Sequence, residues 1–374
     1  MMAYGRVLTV VEISVLPMQG DQLGSYDRVL LSPATRALLC TFTAGDVQRP
    51  LPCVAADWDE VFRGVCRNGL LGLTYRYLNQ GVSRDYPPAS FREAVRQARY
   101  REAVGVALLY RGIRAALTQL TDAGLDFLVL KGPALAQQVY PQPSLRTFSD
   151  LDLMVHEHDL GAIQRVLLAA GFIAEDGDAL LRPRLVPQAA IYELKYWQPA
   201  WQLRVEIHGD DLLNAGLASR DVAGYWARAE GITLQDVPVK ALSLEDQLIH
   251  LCAHLHYHGY VRLNWFADLT FIVRDRAARL DWTQILATVR REEAQVPVYY
   301  SLYFLQQLLG VDPPADALAA LRPDRFRRWW HERYLPERRV LTLEPMPRPS
   351  FSFYFIPLLK RLLPDLLVMG RRRD

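Results

Sequence analysis

Between Asp57 and Asn79, apolar residues recur at helical spacing behind an acidic first turn (DWDEVFRGVCRNGLLGLTYRYLN), which predicts one helix. After DYPPAS at 85–90, a longer amphipathic stretch runs from Phe91 to about Thr121 and stops at Asp122-Ala123-Gly124. The period then changes. LDFLVLKG (125–132) reads as a short strand ending at Lys131-Gly132, followed by a helix beginning at Pro133, where proline is tolerated. LRTFSDLDLMVHEHD (145–159) places two aspartates, one residue apart, inside an apolar run. On a strand, Leu151, Leu153 and Val155 face one way, and Asp150 and Asp152 face the other. A helix follows from about Asp159 to Ala170, closed by Gly171. AAIYELKYWQ and WQLRVEIHG read as two strands joined by a turn at Pro199-Ala200. From about Leu244 to Leu308 the period is helical again, and further helix is expected around 314–335. Residues 1–50 give no clear period, and EPMPRPS (344–350) reads as a linker.

Composition narrows the class without choosing a function. The 374 residues are 51% apolar, 22% charged and 10% aromatic, ordinary values for a globular protein. A net charge of +2, from 43 basic and 41 acidic residues, gives no bulk attraction for nucleic acid. The four cysteines form no CxxC pair, and the apolar N-terminus is interrupted by Arg6 and Glu12 with no cleavage-site pattern behind it. No run of 18 uncharged apolar residues is long enough to span a bilayer. The expectation is a cytoplasmic protein with reduced thiols and no integral membrane association.

Three segments carry candidate chemistry. In LVLKGPALA, a helix N-terminus behind Lys131-Gly132 offers unpaired N–H groups to a phosphate. Lys131 is either a phosphate contact or a solvated strand end. The Asp150/Asp152 pair suits a hard cation such as Mg²⁺, which takes one or two carboxylates plus substrate phosphates. In LRVEIHG, Arg204, Glu206 and His208 share one face. If that strand lies beside the aspartate strand, three carboxylates meet at one end of a small sheet and can serve phosphoryl transfer. Arg146, four residues before Asp150, either forks onto a phosphate or neutralises the aspartates.

These segments, LVLKG…R…SDLDLMV…VEIHG, resemble the nucleotidyltransferase superfamily with the DNA polymerase β-type palm. With LIHLCAHLHYHGYVRLNWFADL at 248–269, the chain is similar to the bacterial uncharacterised nucleotidyltransferase family. The resemblance implies an α+β fold: a minimal palm at 111–240, between a mostly helical region at 1–110 and a helical domain at 241–374. It implies transfer of a nucleoside monophosphate from an NTP, ATP favoured, to an acceptor hydroxyl or phosphate, with Mg²⁺ or Mn²⁺. Asp150, Asp152 and Glu206 would be the catalytic metal ligands. Gly132 would contact the triphosphate through its backbone; beside it Lys131 and Arg146 are the nucleotide-binding candidates and His208 and His254 the acceptor-side candidates, His208 reading equally as a hydrogen-bonded structural histidine. The acceptor is a small molecule, peptide, protein or tRNA. One departure is that Gly132-Pro133 stands where the superfamily carries Gly-Gly or Gly-Ser, so one N–H is lost. The alternative is a catalytically silent nucleotide-binding or partner-binding scaffold with a degenerate palm.

Three other segments have plainer readings. His250, His254, His256 and His258 lack a metalloprotease glutamate between them and are expected to pack a helix beside the site. RPDRFRRWWHERYLPERR (322–339) reads as a helix with one charged and one packed aromatic face, the alternative being an arginine–aromatic RNA-binding segment. FSFYFIPLLKRLLPDLLVMGRRRD (351–374) reads as a packed C-terminal helix with a solvated basic end, the alternative being an amphipathic segment lying on an anionic membrane surface.

Overall fold

A computed structural model describes residues 31–175, 193–209 and 219–342. The expected tail helix, the 344–350 linker and the N-terminal segment lie outside those residues. Four helices come first: α1 (Pro33–Ala44), α2 (Trp58–Arg67), α3 (Leu71–Gln80) and α4 (Ala89–Asp122). α1 is the element that the sequence pattern left unread; Ser32 caps it by accepting from the Thr35 N–H, and Gly45 closes it at φ 62. The single helix expected over 57–79 is two. Gly69, at φ 64, breaks it between α2 and α3, because a left-handed residue cannot continue a right-handed turn.

The middle of the chain is strand-rich. It contains β1 (Phe127–Leu130), α5 (Lys131–Gln138), β2 (Asp150–Val155), α6 (Leu160–Ala169), β3 (Ile173–Ala174), β4 (Glu193–Gln198) and β5 (Leu203–His208). Then come α7 (Val222–Arg228), β6 (Glu230–Leu234) and β7 (Val237–Ala241). α5 starts at Lys131, two residues earlier than expected, which puts Pro133 third in its first turn, where no intrahelical N–H bond is due. The β6–β7 hairpin was not legible in the pattern. Its two-residue turn uses Gln235 (φ 49) and Asp236 (φ 66) rather than the usual Asn-Gly, and Pro238 argues against a central strand. Pro238 is tolerated because it lies beyond the two β7 residues, Lys240 and Ala241, that pair with β1.

The strands form one mixed sheet in the order β3-β4-β5-β2-β1-β7-β6. β2 runs antiparallel to β1 and parallel to β5. One face is fully apolar: Val129, Leu151, Leu153, Val205 and Ile207 pack with Ile113, Leu117 and Leu120 of α4 and with Ile163 and Leu167 of α6. On the opposite face, Leu128, Leu130 and Met154 pack under Tyr225 of α7 and Leu242. On the same face the start of β2 and the adjoining β5 carry polar groups.

The remaining helices are α8 (Leu244–Tyr257), α9 (Leu263–Thr270), α10 (Trp282–Glu292), α11 (Gln295–Leu309), α12 (Ala315–Leu321), α13 (Arg325–Tyr334) and α14 (Glu337–Leu341). With α1–α3 they build a second core, into which α5 and the segment after it insert Leu135, Val139, Tyr140 and Leu145. The architecture is α+β, a seven-strand mixed sheet with helices from both ends of the chain. On α13, Phe326 and Trp329 are exposed rather than packed, because buried His331 and Leu335 set its inward face. Among the described residues no helix is long and apolar enough to cross a membrane.

Candidate functional site

The parallel pairing of β2 with β5 sets the site. Its register places Asp150 opposite Arg204, Asp152 opposite Glu206 and Met154 opposite His208, with all six side chains on the face that α4 and α6 leave free. β4 adds Lys195 opposite Glu206, and its ammonium lies 3.9 Å from Glu206 Oε1. Lys131, at the β1–α5 junction, reaches in from the other side, with Nζ 3.3 Å from Asp152 Oδ1. His208 Nε2 lies 2.8 Å from the same oxygen and donates to it, because an ionised carboxylate only accepts. Arg204 is held off the acids by Glu175, which accepts from Nε at 2.8 Å and Nη2 at 2.9 Å.

Three carboxylates in a half-dry place cannot share one proton affinity. Burial and the neighbouring Asp152 charge push Asp150 up to about 6. Burial, Asp152 and Asp150 push Glu206 up to about 8. Burial acts on Asp152 in the same direction, but Lys131 and His208 outweigh it and hold that carboxyl well below the usual range. Burial opposes the charge on Lys131 too, yet Asp152, Glu206 and Asp150 together raise its pKa. The cluster is therefore an anionic seat that ionises fully only when further positive charge arrives.

The donor set suits a divalent ion. One ligand atom each from Asp152, Glu206 and His208 lies within 4.8 Å of the others, and this is the group of that kind among the described residues. Two carboxylates with an imidazole favour Mn²⁺ more than an all-oxygen set would, while Mg²⁺ still finds its hard ligands. Asp150 is outside that tight trio and flanks it at the strand start.

The other expected residues divide. Gly132 is buried in the first turn of α5; a Cβ there would sit 3.3 Å from the Phe148 side chain and 3.4 Å from the Asp150 carbonyl oxygen. Arg146 does not extend along the acids. Its Nε and Nη2 each donate at 2.8 Å to the two oxygens of Asp268, a fully buried residue of α9, and Tyr140 Oη donates to Asp268 Oδ1 at 2.6 Å. The Arg146 charge still acts on Asp150, lowering its pKa against the larger effect of burial. His254 packs edge-on against Trp265, 4.6 Å between ring centroids. Burial, then the charge of Lys131, holds its pKa well below that of a free imidazole. The histidines of α8 are thus ring-packed as expected, and His254 feels the charges of Lys131 and Arg146.

Two contributors, Asp268, read as a helix cap or a residue reaching the cleft, and Lys195, could not be matched to their partners from the sequence. Asp268 lies 122 residues from Arg146, and nothing local connects them. Lys195 was visible as the polar member of ELKYW, but its match to Glu206 depends on β4–β5 register. Helix α4 also holds the segment delivering Asp150: Glu102 accepts from Thr147 Oγ1 at 2.8 Å, and Arg99 Nη2 donates to the Ser144 carbonyl at 2.5 Å.

Against known families, residues 55–310 match the family described as uncharacterised nucleotidyltransferase. The chain belongs to that family. The matched span takes in the sheet, the acid cluster and the Asp268 clasp, so this nucleotidyltransferase family member carries its candidate site inside the family's own boundaries. A solved structure, an antigenic nucleotidyltransferase-like protein from Paracoccidioides brasiliensis, is similar at 13% identity with a TM-score of 0.35, covering 56% of this chain and 95% of that one. Comparison with curated proteins gives no match.

Proposed function

We propose that the protein is a metal-dependent nucleotidyltransferase that moves a nucleoside monophosphate from an NTP, ATP preferred, to an acceptor hydroxyl or phosphate. The observation that carries this is the β2–β5 register, which brings Asp150, Asp152 and Glu206 onto one polar patch of an otherwise apolar sheet. In the reaction an acceptor oxygen bonds to the α-phosphorus, the bond to the bridging α–β oxygen breaks, and pyrophosphate leaves. A bound Mg²⁺ or Mn²⁺ supplies charge neutralisation for the phosphates. Asp152, Glu206 and His208 would hold that ion, with Asp150 flanking them at the strand start. Glu206, ionised once that positive charge is present, would be the carboxylate placed to take the acceptor's proton. Lys131, the Gly132 backbone and Arg146 would bind the phosphates, and His254 would line the acceptor side. Positioning and charge, rather than a covalent intermediate, supply the rate. An NTP donor fits a cytoplasmic location.

The test is thermal unfolding with each NTP, with and without Mg²⁺ or Mn²⁺, alongside pyrophosphate release. Ligands that bind the native state raise its melting temperature. The wild type should show a shift that needs metal and nucleotide together, and Asp150→Asn/Asp152→Asn should abolish it while leaving the unliganded protein folded. An equal shift in the double variant would refute the site. A silent nucleotide-binding scaffold is the second reading, favoured by the Lys131 ammonium already seated against Asp152; it predicts the shift without pyrophosphate release.

A further inference from the structure

Lys131 has an unusual backbone for its side chain. Its φ is 45, in the left-handed region where glycine is at ease and an L-residue is strained by about 1–2 kcal/mol. Gly132 follows immediately, so the chain places a lysine where a glycine would be strain-free. The strained backbone directs the ammonium inward. Its side chain is 14% exposed, Nζ is 3.3 Å from Asp152 Oδ1, and its charge acts on Glu206 and Asp150 as well. Lys195 pairs with Glu206 from β4, and the Arg146 and Arg204 guanidiniums are clasped by Asp268 and Glu175.

We propose that Lys131 is the built-in counter-ion of the acid cluster and makes metal entry depend on the nucleotide. This rests on the reading given under Proposed function. A bare divalent ion must displace the ammonium from Asp152 and leave it buried beside a second cation. A metal–NTP complex brings phosphate oxygens with it, and these accept the displaced ammonium. The metal and the nucleotide then bind with positive coupling, and by linkage each tightens the other by the same factor. The device keeps the acids from holding a metal that has no triphosphate on it. It also gives a physical role to the strain at position 131, since strain of this kind persists where the surrounding structure uses it.

The experiment is Mn²⁺ binding, followed by electron paramagnetic resonance and calorimetry. It is run on the wild type, Lys131→Met and Asp152→Asn, each with and without adenosine 5′-(α,β-methylene)triphosphate, whose α–β bond cannot be cleaved. Lys131→Met keeps the stem and the backbone strain but removes the charge; Lys131→Gln replaces it if the methionine variant does not fold. The expected result is that bare Mn²⁺ binds Lys131→Met about tenfold or more tighter than wild type. The nucleotide analogue should tighten Mn²⁺ strongly in wild type and far less in the variant. Equal affinity of wild type and Lys131→Met for bare Mn²⁺, with nucleotide-dependent binding intact in both, overturns the counter-ion role and leaves the nucleotidyltransferase reading standing. Binding that is absent in every protein and condition, or that is unchanged in Asp152→Asn, overturns both.

Discussion

Asp268→Asn tests whether the helical region holds the acid cluster in place. Asp268 has no exposed side-chain surface and Arg146 has 6%, and they share two bonds of 2.8 Å. A surface pair contributes about 1 kcal/mol or less. Here the substitution strands a guanidinium that water cannot reach, and the loss expected for breaking a buried pair from one side is about 3–5 kcal/mol. Asparagine keeps the volume and one acceptor oxygen, so the expected loss is about 3 kcal/mol. Tyr140 also loses a charged acceptor. Urea unfolding in EDTA at neutral pH measures the loss free of metal linkage. Adding Arg146→Met should not repeat the penalty, because the stranded charge is then gone, so the double variant should fall well short of the sum of the singles. Arg146 leads directly into the strand bearing Asp150, so the metal–nucleotide melting shift should shrink as well. A loss below about 0.5 kcal/mol, or strict additivity with Arg146→Met, would refute the clasp as a structural anchor.

Three further outcomes follow from the same geometry. Asp150 and Glu206 have pKa values raised to about 6 and about 8 by folding, so their contribution to stability is complete below the ordinary carboxylate range and is lost as pH climbs through those values; the melting temperature in EDTA should fall between pH 5.5 and 8.5, and Glu206→Gln should flatten that fall. The low pKa of Asp152 acts oppositely, but only in acid below about pH 4, outside this window. Gly72→Ala should destabilise by about 2 kcal/mol, although alanine is the better helix former, because its Cβ would lie 2.5 Å from the backbone oxygen of Leu145; a gain in chemical-denaturation midpoint would contradict this packing. His208→Ala should weaken Mn²⁺ more than Mg²⁺ in the presence of nucleotide, read by calorimetry, since imidazole is the softer ligand; equal losses would remove His208 from the ligand set.

The sequence alone determined the parts whose signal is local. Alternation in SDLDLMV and LRVEIHG fixed which residues share a face, because strand geometry leaves no other arrangement, and the long 3.6-residue period of α4 survived in the fold almost unchanged. The break at Gly69 and the β6–β7 hairpin escaped that reading: one glycine overrode a continuous apolar period, and a Gln-Asp turn lacked the usual marker. What only the tertiary structure decided is who meets whom. Parallel pairing of β2 with β5 joins Asp152 to Glu206 across 54 positions of sequence, and a slip of one residue would have turned Glu206 to the apolar face. Arg146 was assigned between phosphate and aspartates, and folding gave most of its guanidinium to Asp268, a partner that no local pattern indicates. Lys131 read as a phosphate contact or a solvated strand end, and the fold seats its ammonium 3.3 Å from Asp152. Local chemistry is written in the spacing of residues, but charge pairing at a buried site depends on long-range register, which only the packed sheet and its helices set.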